Sequence, residues 1–164
     1  MAKKKPIVTN AMRMLTKAKI SYEAVEYIAD EEMLADNAFG MHIAELTGIE
    51  PERSFKTLVG KGDKTGICVF CIPVNCELDL KKAAKASDNK KVELIHVREL
   101  LGLTGYVRGG VSPIGMKKKY PTFISETVMS FEKAAVSGGV CGVTLLLTPS
   151  DLLAVTDAKQ CDLV

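Results

Sequence analysis

Apolar residues at Ala11, Met14, Leu15 and Ala18 recur at i, i+3, i+4 and i+7, the spacing that lines one face of a helix. Thr9 or Asn10 stands where such a helix takes a side-chain cap. The period shortens to two between Tyr22 and Tyr27, predicting a brief strand with Val25 and Tyr27 on one face. Asp30-Glu31-Glu32 and Asp36 read as an acidic, solvated loop. Helical spacing returns with Phe39, Ile43 and Leu46, and Gly48 is placed to end that helix. Ser54–Val59 and Ile67–Val74 alternate as strands on either side of Gly60–Gly66, which predicts a hairpin with a longer loop.

Further along, Leu78–Ala86 is an amphipathic helix with Glu77 or Asp79 as its cap and Lys81, Lys82 and Lys85 outside. After the Ser87-Asp88-Asn89 turn, Lys90–Ile95 has the lysine-marked pattern of an edge strand. Val97–Leu101 predicts a short helix ended by Gly102, and Tyr120–Ile124 another strand. Phe131–Val136 and Val143–Leu147 flank a glycine-rich turn, Ser137–Gly142. Thr148-Pro149-Ser150-Asp151 then combines a cap, a proline at the first helical position and an acid at the third, opening a helix through Val155. No repeat or low-complexity linker interrupts the chain, so the reading is one domain over residues 1–164. Its class is mixed α/β, too irregular for a doubly wound sheet.

Composition changes this picture little. A chain of 164 residues can bury a real core, and its net charge of +2 provides no global drive toward nucleic acid. Any such binding must come from local clusters. Lys3-Lys4-Lys5 is followed by Pro6 and a polar turn, not by the apolar stretch of a signal peptide. No apolar run approaches membrane-spanning length, so the expectation is a cytoplasmic protein with no membrane partner.

Five cysteines are an odd number, and reduced thiols are expected. Cys68-Val69-Phe70-Cys71 has C-x-x-C spacing but lies inside an apolar strand. Side chains three apart on a strand point to opposite faces, so these thiols read as core residues. With no second C-x-x-C and no H-x-x-x-H, neither metal nor cofactor is expected.

The chemistry concentrates in Gly105–Gly115, a stretch with four glycines, Ser112 and Pro113, followed by Met116-Lys117-Lys118-Lys119. Such a loop presents backbone amides in a fixed shape suited to an anion or a developing oxyanion. Known glycine motifs fail on spacing. Gly109-Gly110 with Gly115 does not give G-x-G-x-x-G, and Met116 occupies the lysine position of a P-loop. Ser112 precedes Pro113, which has no N–H to offer an elbow-type oxyanion hole. Lys56, set between apolar neighbours on a strand, reads either as an edge lysine or as a fixed cation for phosphate. His42 has no partner at metal spacing.

Taken together, several stretches resemble the YbaK type of aminoacyl-tRNA deacylase, which shares its fold with the editing domain of bacterial prolyl-tRNA synthetases. They are Phe55-Lys56-Thr57-Leu58, Leu78–Lys82, Lys90–Glu93, Gly105–Gly115, Pro121-Thr122 and Val136–Gly139, in order over nearly the whole chain. The resemblance implies a closed or nearly closed, barrel-like mixed sheet wrapped by helices. It implies that Lys56 anchors the phosphate of the 3′-terminal adenosine of a tRNA. Gly109, Gly110, Ser112 and Pro113 would form the loop whose amides hold the aminoacyl ester. Tyr27, Phe39 and Thr57 would wall the pocket, and Ser137 with Gly139 would form the second glycine turn. Thr144 stands where some members have an aspartate, so no acid is assigned there.

The same resemblance implies an activity. The substrate would be misacylated tRNA, foremost cysteinyl-tRNA for proline, with the cysteinyl thiol attacking its own ester. A deacylase for alanyl- or seryl-tRNA, and a non-catalytic tRNA- or synthetase-binding module, are the alternatives. The implied partners are aminoacyl-tRNA and a prolyl-tRNA synthetase, with no DNA. Lys117–Lys119 is a run that could reach an acceptor stem or remain solvated.

Overall fold

The computed structural model describes residues 7–35 and 38–164; Lys3-Lys4-Lys5, Pro6 and Asp36 lie outside them. In chain order the elements are α1 (Asn10–Lys17), β1 (Glu23–Glu26), α2 (Glu31–Ala35), α3 (Phe39–Thr47), β2 (Phe55–Gly62), β3 (Gly66–Pro73) and α4 (Leu80–Ala86). They continue as β4 (Val92–Leu94), α5 (Leu100–Thr104), β5 (Thr122–Ser125), β6 (Ala134–Ser137), β7 (Val143–Leu147), α6 (Pro149–Thr156) and β8 (Lys159–Cys161). The strands make two sheets, one ordered β1-β7-β6 and one ordered β4-β2-β3-β5-β8. A single parallel bridge from Ser54 to Ala135 joins them, which gives the barrel-like form its seam. The larger sheet is mixed, because β3, β5 and β8 run parallel while β4, β2 and β3 alternate in direction.

Local chemistry explains most of these elements. Thr9 caps α1 by accepting from Met12 N–H, Asp79 caps α4 by accepting from Lys81 and Lys82, and Thr148 caps α6. α3 ends at Gly48, whose φ of +72° is a left-handed value that glycine takes without strain. α1 turns Met12 inward and leaves Met14 39% exposed. Ala11 and Leu15 belong to both stripes, so tertiary packing decides which flanking methionine is buried. The acidic stretch forms α2 instead of a loop: the Asp30 carboxylate accepts from Met33 N–H at 2.8 Å, and carboxylates favour a helix N-terminus.

Two glycine readings change. Gly60 and Gly62 lie within β2, and the hairpin turns only at Asp63–Thr65. A Cβ on Gly60 would meet Val92 at 2.9 Å and one on Gly62 would strike Asn89, so both glycines permit close approach across the sheet. Asn89 in turn accepts from Lys64 and Thr65 N–H and locks the turn. Gly102 sits inside α5, which continues to a stop at Gly105 with φ +82°. Lys159–Cys161, unassigned from the sequence, adds β8 as a parallel edge beside β5.

The larger sheet separates two apolar clusters. Cys71, Leu15, Ile124 and Leu145 lie on one side, and Cys68, Phe70, Ala83 and Phe123 on the other. Phe70 and Phe123 stack at 5.6 Å between ring centres. Cys68 and Cys71 therefore belong to different cores, as strand alternation requires. Among the described residues no helix is long and apolar enough to cross a membrane.

Candidate functional site

The sheets leave a gap where they fail to seal. β4 pairs with β2 at Gly60–Gly62 and Ile95 N–H donates to Val59 O, but among the described residues no strand is paired with the outer edge of β2 from Phe55 to Leu58. The space against that edge is a cavity of about 530 Å³. β2 contributes Lys56 and Thr57, β6 and β7 contribute Ser137 and Thr144, and α3 contributes Phe39 and Ile43. Tyr27 follows β1 on one side, while Ile95, Val97 and Leu100 close another and Arg108 and Gly109 reach in from the glycine loop.

Lys56 is the half-buried cation of this space. Burial holds its ammonium below the usual lysine range, opposed by the charges of Glu77 and Cys76. Among the described residues no carboxylate comes within 4 Å of it, so its charge remains available to a ligand. Thr57 lies on the opposite face of β2, opposite Cys71 on β3, with its hydroxyl 3.7 Å from the Cys71 sulfur. Burial pushes that thiol up to about 12, and it pushes Cys161 up to about 11 with help from Glu126 and Asp162. Burial likewise raises the Tyr27 phenol to about 12, against a hydrogen bond from Gly142 and with help from the neighbouring Cys141 thiol, so Tyr27 lines the cavity with its hydroxyl neutral. Among the described residues the lining contains no carboxylate, imidazole or thiol.

The glycine loop divides into a front and a back. Gly109, at φ +89°, lines the cavity, and the position of its missing Cβ lies 2.6 Å from Leu34 and 3.5 Å from Phe39. Gly110 turns away. Its N–H donates to Val107 O at 2.9 Å, and a Cβ there would sit 2.9 Å from Val140 Cα and 3.1 Å from Cys141 N. Ser112 is fully buried, with its hydroxyl accepting from Ile114 N–H at 3.2 Å, and Pro113 is buried beside it. A Cβ on Gly139, at φ +94°, would lie 2.9 Å from the Tyr106 ring, so glycine makes room for it, while Ser137 Oγ accepts from Gly139 N–H.

The structure thus gathers Tyr27, Phe39, Lys56, Thr57, Gly109 and Ser137 around one cavity. Gly110, Ser112, Pro113 and Gly139 are not among its lining; Gly110 and Gly139 set the two glycine turns against each other, and Ser112 bonds within its own loop. Sequence reasoning missed Arg108 and Tyr106. Arg108 is a cation inside the glycine stretch, which was a usable signal. Tyr106 carried none, yet its hydroxyl donates to Ile114 O at 2.7 Å and ties the ends of the loop together. Chemically, the cavity offers two cations, neutral hydroxyls and apolar walls, a setting for an anionic ligand that brings its own reacting groups.

Residues 40–155 match the family of aminoacyl-tRNA editing domains. A protein of Enterococcus faecalis named as a candidate Cys-tRNA(Pro)/Cys-tRNA(Cys) deacylase, EbsC, is 48% identical over 97% of this chain and 95% of its own. Among solved structures, one titled as a candidate trans-editing enzyme for prolyl-tRNA synthetase superposes with a TM-score of 0.80. It is 26% identical and covers 96% of this chain and 98% of its own. A protein of unassigned function, 21% identical, superposes at 0.81 over 94% of this chain and 99% of its own, a likeness of fold.

Proposed function

Because the chain belongs to the family of aminoacyl-tRNA editing domains, we propose that it clears cysteine from mischarged tRNA by letting the substrate's own thiol cleave the ester. It is a trans-editing aminoacyl-tRNA deacylase. The observation that carries the mechanism is the cavity lining, which among the described residues provides no carboxylate, imidazole or thiol. A deacylation here needs a nucleophile, and a cysteinyl group holds one next to its own carbonyl.

In the step so inferred, the cysteinyl sulfur attacks the ester carbonyl carbon. The bond from that carbon to the ribose oxygen breaks, the thiol proton passes to the ribose oxygen, and the products are a cyclic thiolactone and free tRNA. Lys56 holds the terminal phosphate. Gly109 brings the loop backbone to the carbonyl, and Tyr27, Phe39, Thr57 and Ser137 shape the space for a small side chain. Gly110, Ser112, Pro113 and Gly139 keep that loop in place. The contribution is proximity and electrostatics.

Such a site answers a physical limit. Cysteine and proline differ by little in size, and a hydrophobic synthetase pocket discriminates such differences by only about 1–3 kcal/mol. A second site that destroys the wrong product removes the error. The inferred setting is the cytoplasm, where tRNA is charged; the relatives' names support cysteinyl-tRNA for proline as substrate and a prolyl-tRNA synthetase as working partner.

The test compares single-turnover cleavage of cysteinyl-, seryl- and S-methylcysteinyl-tRNA at saturating enzyme. A thiol with pKa near ~8.5 is far more ionised and nucleophilic than a hydroxyl, so the cysteinyl ester should react much faster than the other two. Equal rates for all three would mean that a water positioned by the protein performs the attack, and the thiolactone route would be abandoned.

A further inference from the structure

The charge of this chain is not evenly spread. Residues 56–91 hold eight lysines and four acids, a net of +4 in a chain whose whole is +2, so the remainder is net negative. Part of that excess forms a line. Lys61 lies on β2 on the same face as Thr57 and Val59, which line the cavity, and it is exposed. At strand rise Lys61 stands about 13 Å from Thr57. It is paired with Glu93 of β4, so exposed Lys91 is its diagonal neighbour on that face, about 7–8 Å away. Lys91 spends part of its charge on Glu93, at 2.8 Å.

Beyond this pair lies the β2–β3 turn with Lys64, and beside it Lys90. Asn89 accepts from Lys64 and Thr65 N–H, and Asp63 accepts from Lys90 and Lys91 N–H. The acids and amides of the turn are thereby occupied with backbone, and the ammonium groups are held outward on a fixed frame. Among the described residues Lys61, Lys64 and Lys90 have no ion-pair partner.

We propose that Lys61, Lys64, Lys90 and Lys91 form a phosphate-binding track that docks the duplex of the tRNA acceptor arm when its 3′ end enters the cavity. The proposal rests on the editing function inferred above. The track starts at the cavity's own strand and leads away from it, as a duplex must lead away from the single-stranded end that carries the ester. Lysine suits this role because an ammonium on a flexible stem reads phosphate as charge, without base sequence. Lys117–Lys119, the other lysine run, is poorly placed for the same duplex. Lys119 pairs with Asp157 at 3.1 Å, just before β8, on the far edge of the five-stranded sheet. Four strand spacings of about 4.8 Å separate that edge from β4.

The experiment measures binding of uncharged tRNA for proline, and of a CCA trinucleotide, by fluorescence anisotropy across a salt series. Wild type is compared with the triple variant Lys61→Gln/Lys64→Gln/Lys90→Gln and with Lys117→Gln/Lys118→Gln. For the triple variant we expect tRNA affinity to fall about tenfold or more at low salt, and the slope against log salt to flatten by about 2–3. Trinucleotide affinity should not change, and the Lys117/Lys118 variant should bind tRNA as wild type does. Wild-type affinity and slope in the triple variant, or the loss appearing in the Lys117/Lys118 variant instead, would overturn the track. Turnover of cysteinyl-tRNA is read in parallel. A protein that binds tRNA through these lysines but cleaves no ester leaves the track standing and removes the editing function.

Discussion

Replacing Gly110 by alanine should destabilise the protein through contact with the second glycine turn, with no group entering the substrate space. The added Cβ would lie 2.9 Å from Val140 Cα, 3.1 Å from Cys141 N and 3.1 Å from Val140 C. Ordinary carbon contacts are about 3.5–4.0 Å, so the overlap is several tenths of an ångström against backbone on the far side. Gly110 cannot simply retreat, since its N–H is bonded to Val107 O at 2.9 Å. Overpacking of this kind costs about 1–3 kcal/mol. For a chain of this length each kcal/mol lowers Tm by about 2–4 °C, so a fall of roughly 2–12 °C is expected. Gly109→Ala is the informative comparison. Its Cβ meets the flexible end of Leu34, and its cost comes from φ +89°, about 1–2 kcal/mol. Both variants should lose stability, but Gly109→Ala should also disturb turnover per folded molecule, because its Cβ displaces Leu34 and touches Phe39 at the cavity wall. Urea midpoints with unchanged m-values would measure the first effect and single-turnover rates the second. A Gly110→Ala protein with wild-type Tm would refute the claim that the two glycine turns are wedged together.

Lys56→Met should abolish deacylation, by about a hundredfold or more, while leaving the urea midpoint close to wild type. The variant removes a half-buried charge that among the described residues has no carboxylate within 4 Å, so little folding energy is at stake; a folded variant with normal turnover would make Lys56 an ordinary edge lysine. Asp63 gives a pH dependence whose sign is fixed by its hydrogen bonds. Lys91 and Lys90 N–H hold its carboxyl below the usual range, so its stabilisation is full above the unfolded value of about 3.9 and is lost as pH falls through the folded value. Asp63→Asn should flatten acid unfolding in that window, and an unchanged acid limb of the denaturation profile would count against it.

Local rules carried far in this sequence. Thr148 caps the helix it was expected to cap, and Thr9 and Asp79 are each one of the two candidates the sequence offered, because capping depends on a few neighbouring atoms. Strand alternation placed Cys68 and Cys71 in separate cores for the same reason. What the sequence hid was long-range. Gly60 and Gly62 read as turn residues, but glycine's other use is to let Val92 or Asn89 come close, and that depends on a neighbour distant in sequence. Within the loop, nothing local distinguishes Gly109, which faces the cavity, from Gly110, which faces Val140. β8 is three residues of mixed polarity, and only the edge of β5 makes them a strand.

The connectivity of the smaller sheet bears on how the protein is made. Among the described residues β1 is paired with β7 alone, with Glu26 opposite Val143, and Ser54 meets Ala135. A chain emerging from the ribosome must therefore carry β1 unpaired until β7, at Val143–Leu147, has been synthesised. Closing such long loops is slow compared with forming local helices, and the early strand remains exposed meanwhile. Tyr27 and Thr144, which line the cavity as diagonal neighbours across the β1–β7 pairing, come together only in that last step. Nascent chains and C-terminal truncations ending before Val143 should thus be inert, and the onset of activity should report completion of folding.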